Sequence, residues 1–232
     1  ILVIDLDPQG NATTGLGLSN MDNSSNTIYG VLNGTNQISD VIKKTEFNNL
    51  DIICSNVDLS GLEVETADDG DRAFLLKRKL TAYLNDSGAI YDYILIDCPP
   101  SLSLLTVMAL VSSQSLVVPL QTEFFALEGL TQLMKTIERI KINLNPELKI
   151  RGILLTMYDK RNKLSSQVEK EARDYFNEKV YSTVIPRNVR LSEAPSHGMP
   201  VLIYDKSCPG SKSYFNFTDE FINQETTIGS AA

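Results

Sequence analysis

The sequence predicts an α/β protein with a mostly parallel β-sheet and helices on both of its faces. Short apolar segments rich in β-branched residues alternate with longer segments whose apolar residues recur at helical spacing. The short segments are nearly continuous in their apolar character, which is typical of parallel strands covered on both faces. No internal repeat or linker interrupts the alternation, and 232 residues suit one large domain, so a single domain is expected.

The individual elements follow from these patterns. Apolar runs predict strands at residues 1–4, 51–54, 93–97, 115–120, 150–156 and 184–186. Apolar residues three or four positions apart predict helices at residues 72–84, 102–112, 128–142, 165–176 and 215–222. Segment 11–27 is rich in Asn, Ser, Thr and Gly and indicates a loop or a loose helix, and residues 226–232 are expected to fray.

Composition excludes several functional classes. Hydrophobic residues make up 42% and charged residues 22% of the chain, which favours a folded protein over a disordered one. No apolar run is long enough to cross a bilayer, and no secretory signal opens the sequence. Three scattered cysteines favour a reducing compartment, and a single histidine argues against a multi-histidine metal site. Because the net charge is −8, any nucleic-acid binding requires a local basic patch.

Carboxylates stand at the ends of two predicted strands. Asp5 and Asp7 follow the first run, and Asp97 ends the third. Ligands of parallel α/β sheets bind beyond the carboxyl ends of the strands, so these side chains are candidates for one site. An apolar strand that ends in aspartate is the Walker B arrangement, which holds Mg²⁺ beside nucleotide phosphates. A simple turn is the alternative, because aspartate is common there.

Five longer segments carry a family resemblance. They read LVIDLDPQGNATTGLG, YDYILIDCPPSLSLLT, VPLQTEFFALEGL, GILLTMYDKR and VIPRNVRLSEAPSHGMPV. In order and spacing they resemble the ParA/Soj chromosome and plasmid partition ATPases, of the deviant-Walker P-loop group that also contains MinD. The resemblance runs from residue 1 to about residue 222. It implies an ATPase domain over residues 1–222 and a flexible tail over residues 223–232.

The family's phosphate-binding loop is not found in this sequence. In relatives, this Gly-rich stretch with two lysines precedes the strand with which the present chain opens, and no Gly-x-x-x-x-Gly-Lys-Ser/Thr motif occurs in residues 1–232. The first strand–loop–helix unit of the P-loop NTPase-like fold, roughly 30 residues, is therefore expected to be absent. Without those lysines and backbone amides, residues 1–232 alone are expected to bind ATP poorly and to be inactive.

The resemblance implies ATP and Mg²⁺ as cofactors. Asp7 matches the aspartate that orients the attacking water, while Asp5 and Asp97 match positions near Mg²⁺, which they would hold through water. The other matches with nucleotide-binding positions are Gln9, Met157, Asp159, Pro186 and Asn188. The matches with the switch loops are Gly10, Asn11, Pro99 and Pro100, of which the two prolines also fit a simple turn.

The resemblance also implies binding to DNA without sequence preference. The residues that match the family's DNA surface are Arg187, Arg190, Lys206 and Lys212. Phosphate contacts by such side chains need no base code. Relatives usually carry Pro-Arg-Ser-Arg-Gly where residues 206–210 read Lys-Ser-Cys-Pro-Gly, so DNA binding is expected to be weaker or to depend more on Arg190. A second basic cluster at residues 160–163 is interpreted as a solvated loop.

The function that these matches imply is an ATP-dependent partition switch. ATP would join two subunits into a homodimer that binds DNA in the cytoplasm, on the nucleoid, and a ParB-like protein would stimulate hydrolysis and release. One alternative is a MinD-like membrane regulator, which requires a C-terminal amphipathic helix that residues 226–232 cannot form. The other alternative is a non-enzymatic binding module of the same fold.

Overall fold

The computed structural model describes residues 1–18, 26–88 and 91–229. The chain forms two compact units. The first comprises Ile1–Gln114 together with Leu144–Pro146 and Pro195–Met199, and the second comprises the remaining residues. Each unit has its own sheet and is described separately.

The sheet of the first unit is mostly parallel, as predicted. Strand β1 (Leu2–Asp5) lies between β3 (Asp51–Ile53) and β4 (Ile94–Asp97) and is parallel to both. Strand β2 (Ile42–Lys44) pairs with β3 in the antiparallel sense, so the order is β2-β3-β1-β4. Leu2 and Ile4 of β1 are fully buried. Burial of such side chains contributes about 1.5–3 kcal/mol each.

Helices and short turns pack on this sheet. Its helices are α1 (Asn11–Gly15), α2 (Ile28–Leu32), α3 (Ile38–Val41), α4 (Leu62–Glu65), α5 (Leu75–Ser87) and α6 (Leu104–Ser112). The core joins β1 and β3 to apolar residues of α2, α5 and α6, among them Val31, Leu76 and Met108. Asn145 donates from Nδ2 to the carbonyls of Leu110 and Ser113 at 2.8 Å each. These bonds supply donors to carbonyl groups at the C-terminal end of α6, where partners within the helix are lacking.

The second unit is built on a parallel three-stranded sheet. Its strands, in the order β5-β6-β7, are β5 (Ser115–Gln121), β6 (Lys149–Tyr158) and β7 (Val180–Pro186). Its helices are α7 (Ala126–Asn143), α8 (Lys163–Phe176), α9 (Val189–Glu193), α10 (Val201–Tyr204) and α11 (Pro209–Gly229). Leu120, Leu130 and Ile153 belong to one buried cluster of this unit. Leu154, Tyr181 and Ile185 form another, against which Phe217 and Phe221 of α11 pack.

Every predicted strand and helix is present, with shifted ends. The predicted helix at 215–222 is the middle of α11, which begins at Pro209 and ends at Gly229. Proline suits the first turn of a helix, so the helix begins at Pro209, before the predicted start at residue 215. Residues 226–229, predicted to fray, are helical, and residues 230–232 lie outside the described part, as do residues 19–25 of the predicted loop. The short elements α2, α3, α4, α9, α10 and β2 were not predicted.

The overall α/β fold class with its mostly parallel strands is confirmed. Whether the two units make up the single domain that the alternation predicts stays a prediction. Within the described ranges, no helix combines the length and the apolar character needed to span a bilayer.

Strand β7 bulges, and two charged side chains satisfy the bulged backbone. Strand β6 advances from Ile153 to Leu155 while β7 advances from Val180 to Val184, so β7 carries extra residues between these pairs. The Glu220 carboxylate accepts from the Ser182 amide at 2.6 Å and from the Thr183 amide at 2.9 Å.

Arg173 of α8 contacts the same bulge. Its guanidinium donates to the carbonyls of Tyr181 at 3.1 Å and Ser182 at 3.3 Å, and its Nε donates to Glu169 at 3.1 Å. Side chains from α8 and α11 therefore supply the donors and acceptors that a bulge removes from the ladder.

We expect Glu220→Gln to lower the free energy of unfolding by about 1–2 kcal/mol at pH 7, because one amide of the bulge then faces an NH₂ group. Desolvation raises the pKa of Glu220, but the hydrogen bonds from Ser182 and Thr183 outweigh it and the net pKa is lowered from 4.5. A carboxyl group whose pKa is lower in the folded than in the unfolded state stabilises the fold at pH values above its unfolded-state pKa. This stabilisation is lost as the pH falls through the folded-state pKa.

Urea unfolding between pH 3 and pH 7 measures this effect, with the exposed neighbour Asp219→Asn as the matched control. The difference between parent and Glu220→Gln should shrink below about pH 4.5. Equal stability of parent and Glu220→Gln at pH 7 would contradict the assignment.

Candidate functional site

Three carboxylates meet at the carboxyl edge of the first unit's sheet. Strands β1 and β4 are parallel neighbours, and Asp5 lies opposite Asp97 in their register. The Leu6 amide donates to the Asp97 carbonyl at 2.7 Å, which carries the pairing one residue beyond β1. Asp7 follows directly. The parallel pairing therefore brings together the carboxylates that the sequence predicted separately.

The negative charges of Asp5, Asp7 and Asp97 repel one another. Desolvation, followed by the negative charges of Asp5 and Asp7, raises the pKa of Asp97 to about 6. The Asp97 side chain is accessible to solvent at the strand tip, and water screening moderates the shift without changing its direction. A bound cation would relieve this repulsion, and carboxylate oxygens are the ligands that Mg²⁺ prefers. Among the residues described, however, no three His, Cys, Asp or Glu side chains are already arranged to hold a metal ion.

Asp5 is fully buried, and protein donors engage both of its oxygens. Oδ2 accepts from the Thr13 amide and from the Thr13 hydroxyl, each at 2.7 Å. Oδ1 accepts from the Asp7 amide at 3.2 Å. Desolvation raises the pKa of Asp5, and the hydrogen bonds from Thr13 and Asp7 only partly offset it. Both Asp5 oxygens thus accept hydrogen bonds from the loop that follows β1. The role of Asp5 near Mg²⁺ stays a prediction.

The predicted first switch follows β1 as a tight turn. The Asp7 carboxylate accepts from the Gln9 amide at 3.0 Å, and the Gly10 amide donates to the Asp7 carbonyl at 2.9 Å. Gly10 has φ +65°, and a Cβ there would lie 3.6 Å from the Ser55 carbonyl. A Cβ at that distance would make only an ordinary contact, so the left-handed conformation is what favours glycine here. Asn11 is exposed at the start of α1.

The predicted second switch connects β4 to α6. The Thr106 hydroxyl donates to the carbonyls of Pro99 and Ser101, so this loop is attached to the first turn of α6. Pro100 is exposed and Pro99 is partly buried. Sequence reasoning did not identify Thr106, because a threonine in a predicted helix gives no signal of its own.

A cavity lies at the carboxyl ends of the second unit's strands. Its volume is about 380 Å³. Residues from the ends of all three strands and from the start of α8 line it, among them Thr122, Phe124, Met157, Asp159, Ser165 and Arg187. Met157 has φ +55°, and its carbonyl accepts from the Thr122 hydroxyl at 3.3 Å. Of the predicted nucleotide-binding residues, Met157 and Asp159 line the cavity.

Charged residues at this cavity are paired. Asp159 accepts from the Arg161 amide and from its guanidinium at 3.0–3.1 Å. These hydrogen bonds from Arg161 lower the pKa of Asp159 to about 2. Arg187 lies 3.6 Å from Glu123. Arg187, which was predicted to contact DNA, is one of the residues that line this cavity.

Two predicted residues flank the cavity without lining it. Pro186 ends β7 opposite Tyr158, and the Arg187 amide donates to the Tyr158 carbonyl at 2.9 Å. Asn188 caps α9, because its Oδ1 accepts from the Arg190 amide at 2.9 Å. Thr122, Phe124 and Ser165 were not singled out from the sequence, although two of them lie in a quoted motif.

The other predicted DNA-binding side chains are exposed or paired. The Arg190 guanidinium lies 2.8 Å from Glu193 and 3.5 Å from Asp205. The Lys206 ammonium is 5.8 Å from the centre of the Phe215 ring. Lys212 is exposed in the first turns of α11. Neighbouring carboxylates thus partly neutralise Arg190, on which DNA binding was expected to depend more if it was not simply weaker.

Comparison with known proteins assigns the family. A family model described as an AAA domain matches residues 1–150. The chain is 52% identical over 225 residues to the chromosome partitioning protein ParA of Caulobacter vibrioides (strain NA1000 / CB15N), covering 97% of this chain and 83% of that protein. It is 48% identical to the sporulation initiation inhibitor protein Soj of Bacillus subtilis (strain 168), covering 95% of this chain and 85% of that protein.

A solved structure with the same fold holds a nucleotide. Cobyrinic acid a,c-diamide synthase from Mycobacterium smegmatis, with a bound ATP analogue and magnesium, superposes with a TM-score of 0.77 at 32% identity. The match covers 94% of this chain and 80% of that one. Identity is higher with the partition proteins along nearly the whole chain. We conclude that the chain belongs to the ParA/Soj family of chromosome partitioning ATPases.

Proposed function

We propose that the protein is an ATP-dependent DNA-partition ATPase that alternates between an ATP-bound, DNA-binding homodimer and a released monomer. The observation that carries this proposal is the convergence of Asp7 and Asp97 at one sheet edge, in a chain 52% identical to a chromosome partitioning protein. A ParB-like protein would stimulate hydrolysis, and the protein would act in the cytoplasm on the nucleoid.

The carboxylates suit phosphoryl transfer to water. Such a reaction needs positioning and charge stabilisation more than covalent participation of the protein. Mg²⁺, when bound, would neutralise charge on the phosphate oxygens. Asp97 is accessible and can hold the metal through water, and Asp7, at the start of a fixed turn, can orient the attacking water. Gln9, Gly10 and Asn11 would form the first switch, and Pro99 with Pro100 would form the second.

The cavity of the second unit suits a nucleobase. It offers an aromatic ring in Phe124, a thioether in Met157 and a carboxylate in Asp159 that can accept from an exocyclic amine. Its volume of about 380 Å³ lies in the range of small-molecule sites. Pro186 and Asn188 would support its rim.

The non-enzymatic module stays as the alternative function, because no phosphate-binding loop occurs in residues 1–232. We expect residues 1–232 alone to show no saturable ATP binding at millimolar nucleotide, measured by calorimetry. Tight binding by this segment would mean that the phosphate site lies elsewhere in it.

In the protein expressed from its complete reading frame, we expect Asp7→Ala to lower kcat for ATP hydrolysis by at least about 100-fold with little change in ATP affinity. Loss of a water-orienting group removes stabilisation of the transition state and leaves the ground state bound. Asp97→Ala should also weaken Mg²⁺-dependent ATP binding. The matched control is Asp86→Ala, at an exposed position of α5. Hydrolysis by Asp7→Ala at the parent rate would exclude the assigned role.

We expect the same protein to bind duplex DNA only with ATP, without sequence preference and less tightly as salt rises. Arg190→Glu should weaken binding to every sequence alike and reduce the slope of log affinity against log salt by about 1 per subunit, while basal ATP hydrolysis is retained.

The matched charge reversal is Lys160→Glu, at an exposed position of the cluster interpreted as a solvated loop. A salt titration of DNA binding compares parent, Arg190→Glu and Lys160→Glu. If Arg190→Glu and the parent give the same affinity and slope, Arg190 does not contact DNA.

A further inference from the structure

A single buried threonine connects three parts of the first unit. Thr13, in α1, is 6% exposed. Its hydroxyl donates to Asp5 Oδ2 at 2.7 Å and accepts from the Ser55 amide at 3.1 Å. Asp5 ends β1, and Ser55 lies just beyond β3. The hydroxyl therefore joins the ends of two neighbouring strands to the helix after the first switch.

The Asp5 carboxylate closes the loop at both ends. Oδ1 accepts from the Asp7 amide, and Oδ2 accepts from the Thr13 amide and hydroxyl. The two ends of the segment from Asp7 to Thr13 are thereby hydrogen-bonded to the same side chain, that of Asp5, which is fully buried. Because the Asp5 side chain is buried, the loss of any one of these hydrogen bonds leaves a polar group without a partner, which is costly.

Asp7 has no comparable attachment through its own side chain. Its carboxylate accepts from the Gln9 amide within the same turn. The turn is attached to the strands by the Asp5–Thr13–Ser55 network and, in the main chain, by the hydrogen bond from the Leu6 amide to the Asp97 carbonyl. A position error of about 1 Å at a reacting group can lower a rate by about 100-fold.

We propose that Thr13 is a positioning residue for hydrolysis: its hydroxyl, held between Asp5 and Ser55, sets where the switch turn places Asp7. This inference rests on the proposed function for its catalytic consequence. Its structural part does not, because the network consists of contacts within the protein itself.

Three variants test the role of the hydroxyl. Thr13→Val has nearly the same shape but can neither donate to Asp5 nor accept from Ser55. Thr13→Ser restores the hydroxyl and is the rescue. Thr14→Val makes the same change at the next residue of α1, which is half-buried and outside the network. Unfolding by urea verifies that each variant is folded under the assay conditions.

The first measurement is amide hydrogen exchange in the nucleotide-free protein expressed from its complete reading frame. Thr13→Val should speed exchange in peptides covering residues 7–16 and 52–58 by about tenfold, since the Ser55 amide loses its acceptor. Thr13→Ser and Thr14→Val should match the parent. Unchanged exchange in Thr13→Val would overturn the network, whatever the activity.

The second measurement is steady-state ATP hydrolysis. Thr13→Val should lower kcat by about 10- to 100-fold and change KM for ATP by less than about threefold, because ground-state binding is retained. Thr13→Ser should recover most of kcat. Faster exchange with an unchanged kcat, or equal losses in Thr13→Val and Thr14→Val, would overturn the positioning role. If the parent hydrolyses no ATP, the proposed function and the positioning role both fail, and the exchange result still decides whether the network holds the turn.

Discussion

Negative charge gathered at the end of a parallel strand pair is the constraint around which the first unit is organised. Parallel pairing in register sets Asp5 opposite Asp97, and Asp7 follows Asp5 by two residues. Three carboxylates so placed repel one another, and the burial of Asp5 adds a desolvation cost. The protein offsets that cost for Asp5 with donors from Thr13 and Asp7, and leaves Asp97 open to solvent. One carboxylate is thereby committed to structure and another stays available for a ligand.

Buried threonine hydroxyls recur where a loop leaves a strand. Thr13 attaches the turn after β1, Thr106 the loop after β4, and Thr122 the segment after β5. All three side chains are less than 10% exposed. A hydroxyl can donate and accept at once, so it can bridge two backbone segments that an apolar side chain of equal size would leave unsatisfied. The candidate loops are thus held at their bases while their tips stay exposed.

Local patterns predicted the long elements, and long-range contacts explain what they missed. The run at residues 93–97 contains strand β4, which is predicted by the three consecutive apolar residues Ile94, Leu95 and Ile96, and that information is local. Strand β2 is only Ile42–Lys44 and exists because it pairs with β3. Asp5, Asp7 and Asp97 were identified as candidates by their place after apolar runs. Thr13 could not be, because its role depends on Ser55, 42 positions away in the sequence.

The bulge of β7 also determines where the chain can be shortened. Its two amides depend on the carboxylate of Glu220, which lies near the middle of α11. A truncation placed just before this residue would keep most of the aromatic packing of Phe217, yet it would leave two backbone donors of β7 without acceptors. Expression boundaries and C-terminal fusions should therefore be placed beyond both Glu220 and Phe221, because the Phe221 ring packs against the same apolar cluster and its carbonyl accepts from the Arg151 guanidinium.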